Sequence, residues 1–272
     1  MTPIPIPSPY GGKETRIPPI PSPYEEEGIS RGLTHRVVTF SIKRLTNILC
    51  RVHDAQLGRV PDRGPLILVI NHVNFLEAPV IYTRMQPRPM TALAKAETWN
   101  NPALRLLADL WGAIPLNRGE ADVLAFRQAL AALDAGYILI VAPEGTRSGH
   151  GRLQRGHPGV ALLALRSGAP LLPLVYHGGE RFWRNLTNLR RTDFHIHVGQ
   201  PFYLDPGGVK VTRQVRQHMA DEIMYQSAAL LPRAYRGAYA DLAAATETYI
   251  RFPPDAESNL RGARGQTASV RT

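Results

Sequence analysis

Between residues 66 and 200, short and continuously apolar segments alternate with longer helical segments, and this alternation strongly constrains the fold. The strand candidates are 66–70, 91–94, 113–116, 137–142, 171–176 and 194–198. The helical candidates are 77–85, 101–110, 120–135 and 156–167, with a closing helix at 209–230. Continuously apolar strands are buried on both faces, and the intervening helices cover those faces. The pattern predicts an α/β fold, a single layered domain with a mostly parallel or mixed sheet flanked by helices.

The two ends of the chain differ in composition from this middle part. Residues 1–32 are rich in proline and repeat the hexapeptide Pro-Ile-Pro-Ser-Pro-Tyr at 5–10 and 19–24, which predicts a disordered or polyproline segment. Residues 251–272 are polar and predict a flexible tail. The folded domain is therefore expected at 33–250.

Residues 36–52 have the spacing of an amphipathic helix, within a helical segment expected at 33–55. One face carries the apolar residues Val38, Ile42, Leu45, Leu49 and Val52. The opposite face carries the basic residues Arg36, Lys43, Arg44 and Arg51. This pattern suits an N-terminal helix that lies on an anionic membrane surface. An ordinary helix that packs on the domain and leaves its basic side in water fits the same residues equally well.

The charge balance limits the class of partner. The chain has 272 residues and a net charge of +10, which favours nucleic acid, an anionic membrane surface or phosphorylated substrates. Its single cysteine, Cys50, excludes an internal disulfide. No apolar run reaches the ~18–20 residues of a membrane span, and no signal-peptide core is recognisable. We therefore expect a soluble or peripheral protein.

The segment NHVNFLEAP at 71–79 follows the apolar strand 66–70 and pairs a histidine with a glutamate. His72 could act as a general base, with Glu77 fixing its orientation. Alternatively, Asn74 and Glu77 could form a capping box at the start of a helix. Pro79 would then fall inside that helix, where proline is unfavourable. A helix that starts nearer residue 78 has Pro79 in its first turn and leaves Glu77 free to face His72.

Two further loops follow apolar strands and carry arginine. The loop APEGTRSGHGRL at 142–153 offers hydroxyl and backbone donors together with Arg147, and it suits either a phosphate site or a basic surface loop. Arg118, after the strand at 113–116, is a second candidate anion ligand. Pro173 interrupts the strand at 171–176 and suggests an edge, a bulge or a pocket wall. The histidines do not form an obvious metal site: structural roles are expected for His195 and His197.

These stretches, in this order, resemble the sequence blocks of the glycerolipid acyltransferases typified by 1-acylglycerol-3-phosphate acyltransferases. The NHxxxxD block corresponds to 71–77, and the block that ends in arginine corresponds to 112–118. The FPEGTRS block corresponds to 142–148, and the proline-containing strand to 170–174. Lys95 matches a lysine that precedes the second block. The resemblance covers about residues 35–230, and all four blocks together are far more specific than any one.

The resemblance implies transfer of a fatty acyl group from acyl-CoA or acyl-carrier protein to a lysophospholipid hydroxyl. His72 would be the general base and Glu77 its orienting partner. The substrate-binding residues would be Arg118, Glu144, Gly145, Thr146, Arg147, Lys95 and Pro173. No metal or cofactor beyond the thioester co-substrate is implied, and the expected location is peripheral, on the cytoplasmic face of a membrane.

Two departures and three alternatives accompany this interpretation. Glu77 stands where the family has aspartate, and Ala142 stands where it usually has phenylalanine. The acceptor could instead be glycerol-3-phosphate or a lyso-aminolipid. The chain could also be a lipid-binding relative without activity. Nucleic-acid binding is disfavoured, because Arg118 and Arg147 follow strands rather than alternating with stacking aromatic residues.

Overall fold

A computed structural model describes residues 29–117 and 122–262. Its main sheet has seven strands in the order β1-β7-β6-β2-β5-β3-β4. These are β1 Cys50–His53, β2 Leu66–Ile70, β3 Met90–Lys95, β4 Ile114–Leu116, β5 Ile138–Val141, β6 Leu171–His177 and β7 Thr192–Val198. A separate two-stranded sheet pairs β8 Tyr203–Leu204 with β9 Ile250–Arg251. The predicted α/β class is confirmed.

Helices flank the main sheet on both faces. They are α1 Ile29–Leu49, α2 Glu77–Arg84, α3 Pro102–Leu110, α4 Val123–Asp134, α5 Gly159–Ser167, α6 Phe182–Thr187 and α7 Arg213–Ala229. Side chains of Asn101, Asp122 and Thr212 accept backbone N–H groups at the starts of α3, α4 and α7, which is why those helices begin there. The five predicted helices that follow strands or close the domain are all present.

The sheet is parallel at its centre and reversed at one side. β2 pairs in parallel with β5 and with β6, and β3 pairs in parallel with β5 and β4. β7 is antiparallel to β6, and β1 is parallel to β7. The carboxyl ends of β2, β5 and β6 therefore meet at one edge of the sheet, together with the amino ends of β1 and β7.

The core consists of two apolar layers, one on each face of the sheet. Leu66, Leu68 and Ile70 of β2 pack into the layer beneath α2, while Ile67 and Val69 pack into the layer covered by α4, α5 and α7. Each residue of β2 is buried because both faces of the strand are covered. This explains the continuously apolar strands in the sequence.

The prediction of one helix over 36–52 is wrong at its carboxyl end. Residues 50–53 form β1, where exposure alternates from Cys50 to His53 with the period of a strand. In α1, Val38, Ile42 and Leu49 are half-buried, but Leu45 is 54% exposed. The solvent side of α1 carries an apolar stripe, which consists of Leu33, Val37, Phe40 and Ile48.

Pro173 does not lie on an edge strand, because β6 is between β2 and β7. Leu174 pairs with Val198, whereas Leu171 pairs with Phe202, so the opposing segment has one residue more than β6 has. That offset defines a β-bulge, and the bulge alternative for Pro173 is confirmed. Proline is tolerated there because the regular ladder is already interrupted.

The folded part of the chain extends past the predicted boundary at 250. β9 pairs with β8, and Leu260 is buried among residues of α7. Asn259 donates from its backbone to Gln226 Oε1 at 3.0 Å and accepts a hydrogen bond from the Gln200 backbone at 2.7 Å. The prediction of a flexible tail is therefore wrong for residues 251–262. Residues 263–272 lie outside the described part of the chain, and so do residues 1–28 of the expected proline-rich segment. Within the described ranges, no helix combines the length and apolarity needed to cross a membrane.

Candidate active site

The candidate site lies where β2, β5 and β6 end, in the loops that follow each strand. β2 stops at Ile70 and β5 at Val141, and the two strands are parallel neighbours. Loops that leave neighbouring parallel strands at their carboxyl ends converge on one edge, where open α/β sheets bind ligands. The segments 71–76 and 142–149, both singled out from the sequence, are therefore brought together.

His72 and Glu77 are in contact. His72 Nδ1 lies 3.3 Å from Glu77 Oε2, and the histidine side chain is 24% exposed while the glutamate side chain is 3% exposed. Glu77 also accepts the backbone N–H groups of Val73, at 2.8 Å, and Asn74, through Oε1. One carboxylate oxygen thus faces the histidine, and the other holds the loop that carries it.

The start of α2 combines the two alternatives considered for this segment. The helix begins at Glu77 with Pro79 in its first turn, as predicted for the arrangement that lets Glu77 face His72. Glu77 also accepts the Asn74 N–H, as a capping-box glutamate does. Asn74 itself does not cap the helix; its side chain accepts the Leu76 N–H at 2.8 Å in a local turn.

Asn71 and Tyr176 hold the end of β2 against the end of β6. The Asn71 side chain accepts the Tyr176 N–H and donates to the Tyr176 carbonyl, both at 2.9 Å. The Tyr176 hydroxyl donates to the Asn71 carbonyl, and its ring stacks on Phe194. Burial raises the pKa of Tyr176 well above its usual value, and the nearby Glu77 raises it further, so the hydroxyl stays protonated. Sequence reasoning missed this pair, and only the position of Asn71 beside His72 hinted at it.

Glu144 lies beneath the loop after β5 rather than on its surface. It is buried, and its carboxylate accepts the backbone N–H groups of His72 and Gln154, each at 2.8 Å. Burial raises the pKa of Glu144 to about 7, against the opposing effect of the two backbone hydrogen bonds. Ser148 N–H in turn donates to the His72 carbonyl at 2.7 Å. Glu144 therefore joins the two loops and presents no oxygen toward open solvent.

Gly145, Thr146 and Arg147 form the outer turn of the same loop. Gly145 has a φ of +66°, a conformation that favours glycine, and a Cβ at this position would lie only 3.0 Å from the His157 ring. Thr146 and Arg147 are exposed. The Arg147 guanidinium has no hydrogen bond or ion pair with any residue in the described ranges, and it is available for an anion.

The remaining predicted site residues are farther from His72 or outside the described ranges. Lys95 ends β3, two strands from β2, and its exposed ammonium lies 3.0 Å from Glu97. Pro173 is buried within β6 beside Val69, below the loops. Arg118 belongs to the undescribed residues 118–121. The flanking Asn117 donates its backbone N–H to Asp122 at 2.9 Å.

An aromatic group borders the loop that carries His72. Phe75 is 42% exposed, and its ring centroid lies 5.6 Å from that of Phe182 and 5.5 Å from that of Trp183. Trp183 is 63% exposed. Asn74 Nδ2 donates to the Gly179 carbonyl at 2.7 Å and fixes the loop to the segment before α6. The site therefore offers an apolar border on one side and an arginine-bearing loop on the other.

Part of the chain is similar to known acyltransferases. Residues 51–177 match the family model described as Acyltransferase. A lyso-ornithine lipid O-acyltransferase of Pseudomonas aeruginosa is 32% identical over 119 residues, 43% of this chain and 45% of the relative. A 1-acyl-sn-glycerol-3-phosphate acyltransferase of Limnanthes alba is 32% identical over 124 residues, 44% of each protein. The chain thus spans less than half the length of these curated relatives.

A solved structure shares the fold. The crystal structure of the 1-acyl-sn-glycerophosphate acyltransferase PlsC from Thermotoga maritima superposes with a TM-score of 0.51 over 74% of this chain and 81% of that one, at 21% identity. The matched segment 51–177 contains both loops of the candidate site and ends with β6. Residues 51–177 are therefore similar to the acyltransferase family, and the chain shares the fold of the PlsC structure.

Proposed function

We propose that this protein transfers a fatty acyl group from an acyl thioester to the free hydroxyl of a lysophospholipid, with 1-acylglycerol-3-phosphate as the acceptor and phosphatidic acid as the product. The observation that carries the proposal is the His72–Glu77 contact beside an exposed arginine loop. A base and an anion-binding group at one edge of the sheet suit an acceptor that has both a hydroxyl and a phosphate.

His72 is the general base in this mechanism. Because Nδ1 faces Glu77, the proton of the neutral ring resides on Nδ1, and Nε2 is free to take the proton of the acceptor hydroxyl. The hydroxyl oxygen then attacks the thioester carbonyl and forms the new carbon–oxygen bond. When the tetrahedral intermediate collapses, the carbon–sulfur bond breaks, and the proton on His72 passes to the departing sulfur. Glu77 stabilises the imidazolium between the two transfers.

The outer turn of the loop after β5 holds the acceptor's phosphate. Arg147 supplies a planar, charged donor, and Thr146 supplies a hydroxyl beside the glycine turn. Holding the phosphate fixes the position of the hydroxyl relative to His72, which makes the attack effectively intramolecular. Lys95 and Arg118 remain candidate ligands for the same or the second substrate. Glu144 acts through His72 and Gln154, whose backbone it binds.

The apolar stripe of α1 is the surface that contacts the membrane. Its four side chains project away from the sheet, and basic residues of α1 flank them, as an interfacial helix on anionic lipid requires. Arg191, which directly precedes β7, donates to the Asn47 carbonyl at 2.6 Å and so joins the end of α1 to the sheet. Contact on this side would place the protein peripherally, on the cytoplasmic face, where both amphiphilic substrates are found.

A test of the function uses the purified protein with lysophosphatidic acid and radiolabelled oleoyl-CoA. We expect the wild type to form phosphatidic acid and His72→Ala to lose about 10²–10⁴-fold in rate, the typical contribution of a positioned base. His218→Ala, at an exposed position of α7, is the matched control and keeps the wild-type rate. Product formation by His72→Ala at the control rate would refute the mechanism. No product with any of several thioester donors and lysolipid acceptors would refute the enzymatic function.

A second acceptor class is favoured by one observation, the 32% identity to a lyso-ornithine lipid O-acyltransferase. Such an acceptor differs from lysophosphatidic acid in having no phosphate for Arg147 to hold. Arg147→Ala therefore distinguishes the two. If lysophosphatidic acid is the acceptor, its KM rises about tenfold or more in the variant, because a charge-assisted pair is lost. Efficient use of lyso-ornithine lipid by wild type and variant alike would favour the second acceptor.

A further inference from the structure

An open cleft lies beside the candidate active site, on the side of β6 that faces away from β2. Its volume is about 780 Å³, within the range of small-molecule sites. Four arginines line it, Arg51, Arg181, Arg190 and Arg191. We call this space the basic cleft. It is large enough for a ligand of nucleotide size, and none of the residues proposed for acyl transfer lines it.

The basic cleft has an excess of positive charge. The Arg190 side chain has no hydrogen bond or ion pair within residues 29–117 and 122–262. Arg181 lies 3.6 Å from Glu180, and Arg51 lies 3.8 Å from Asp193, the carboxylate on the cleft wall. Arg191 binds the backbone at the end of α1. Four guanidinium groups against these two carboxylates attract a ligand with more than one negative charge.

A row of stacked rings forms part of the wall. His53, His195 and His177 are aligned across β1, β7 and β6, with ring centroids 4.3 Å and 4.8 Å apart, and Tyr235 lies 4.9 Å from His177. Burial lowers the pKa of His177 to about 4 and also lowers that of His195, so both rings are neutral at pH 7. Of these rings, those of His177, His195 and Tyr235 line the basic cleft, and uncharged aromatic surface beside arginines suits a nucleobase attached to phosphates.

The basic cleft extends outward from the catalytic loop. His177 ends β6, adjacent to β2, and the Gly179 carbonyl accepts a hydrogen bond from Asn74 of the His72 loop. Arg51 lies in β1, three strands from β2, which is about 14 Å at the usual ~4.8 Å strand spacing. A ligand whose phosphates contact Arg51 and whose reacting carbonyl lies at His72 must therefore have a long arm between these two groups.

We propose that the basic cleft binds the 3′-phosphorylated adenosine diphosphate portion of an acyl-CoA donor. The role of this ligand as acyl donor rests on the proposed function, whereas binding of a nucleotide by the basic cleft does not. The pantetheine arm would run along the end of β6 and deliver the thioester to His72. A concave cavity lined by rings and arginines fits a nucleotide better than it fits the convex acidic surface of a carrier protein. The proposal therefore assigns acyl-CoA as the donor.

Binding of adenosine 3′,5′-diphosphate, measured by titration calorimetry, tests the site without any catalytic step. We expect the wild type to bind it, and Arg190→Ala and Arg51→Ala each to weaken binding about tenfold. Arg127→Ala, which removes an exposed arginine from α4, is the matched control and binds as the wild type does. No binding by the wild type, or equal binding by all three variants, overturns the proposal.

Kinetics separate this proposal from the proposed function. With acyl-CoA, we expect Arg190→Ala to raise the donor KM about tenfold with kcat retained; with acyl-pantetheine, which lacks the nucleotide, the variant matches the wild type. A protein that binds the nucleotide but shows no transfer would refute the proposed function and leave the site standing. The proposal is overturned if acyl-carrier protein is a donor and acyl-CoA is not. It is also overturned if Arg190→Ala loses binding to anionic vesicles but still binds the nucleotide as the wild type does.

Discussion

Glu77 uses its two carboxylate oxygens for different partners. Oε2 faces His72, while Oε1 accepts the N–H groups of Val73 and Asn74. The glycerolipid acyltransferases that the sequence resembles have aspartate at this position, and glutamate at the first residue of α2 still makes these contacts. The departure from the family pattern is thus accommodated by the local geometry, with contact to the histidine retained.

Glu77→Asp tests whether the longer side chain is required. The shorter carboxylate cannot meet His72 and both backbone N–H groups unless the loop moves, and an unsatisfied buried donor costs about 1–3 kcal/mol. We expect a lower midpoint of thermal unfolding and a lower kcat, with Glu77→Gln lower still in kcat because the imidazolium loses its counter-charge. Rates and melting curves of both variants are measured together. An aspartate variant as stable and as fast as the wild type would contradict this account.

Glu144 predicts a specific pH dependence of stability. Its pKa is raised from 4.5 to about 7 in the folded protein, so between these values the folded state binds more protons than the unfolded state. The contribution of Glu144 to the free energy of unfolding therefore falls as the pH rises from about 4.5 to about 7, and it is constant outside that window.

Glu144→Gln removes this titration. The difference in free energy of unfolding between the variant and the wild type, measured by urea denaturation from pH 4 to 8, should change in the variant's favour as the pH rises through the window. His177, whose pKa is lowered to about 4, makes the free energy of unfolding rise with pH. Because both proteins contain His177, this effect cancels in the difference between them. A difference that stays constant with pH would show that Glu144 titrates normally.

At the residue scale, the sequence predicted the His72–Glu77 contact because both residues belong to one short segment. It did not reveal Asn71 and Tyr176, which are 105 positions apart and meet only when β6 lies beside β2. It also assigned Glu144 to the substrate, because a loop motif does not show which side chains turn inward. Short-range geometry can be inferred from spacing, whereas burial depends on the whole sheet.

At the scale of elements, α1 illustrates the limit of periodicity. The sequence predicted one apolar face and one basic face, but the helix packs against α2 and β1 through half-buried apolar residues and several buried polar ones, among them His35 and Thr46. A second set of apolar residues, Leu33, Val37, Phe40 and Ile48, is exposed. Periodicity identifies a helix with apolar residues on two sides, but it does not tell which side meets the protein.

The exposed stripe predicts a separable effect on membrane binding. Replacing Phe40 and Ile48 with serine removes apolar area from the solvent side only, so binding to anionic phospholipid vesicles should fall about tenfold or more while the melting temperature is retained. Co-sedimentation measures the first and thermal unfolding the second. Val209→Ser, at another half-exposed apolar position, is the control. Unchanged vesicle binding by the double variant would exclude the stripe as the membrane contact.

At the scale of the whole molecule, the strand order and the reversed strands β1 and β7 could not be predicted, because apolar patterns identify strands and not their neighbours. β1 was predicted as the end of a helix, since four residues are too few to distinguish the two periods. The polar C-terminal segment was likewise predicted as a tail, although its few apolar and amide side chains complete the packing around α7.

Shortening the chain at its carboxyl end tests the packing of residues 251–262 around α7. Ending the chain after residue 250 removes Leu260 and Asn259, so the buried Gln226 Oε1 loses both of its hydrogen-bond donors, while Gln226 Nε2 keeps Glu247. We expect the free energy of unfolding to fall by about 3 kcal/mol or more. Ending the chain after residue 262 keeps these contacts and should leave the value unchanged. Equal stability of the two truncated proteins would show that residues 251–262 contribute nothing.

The hydrogen bonds between the loops after β2 and β5 have a consequence for engineering. The His72 N–H is bound by Glu144, the His72 carbonyl by Ser148, and the Val73 carbonyl by Gly149. The loop of the proposed base and the proposed anion-binding turn are therefore joined into one rigid structure, although they are distant in the sequence. A chimera that takes only one of the two loops from a relative inherits a mismatched interface, so we expect a graft to keep the stability of the protein only when both loops are exchanged together.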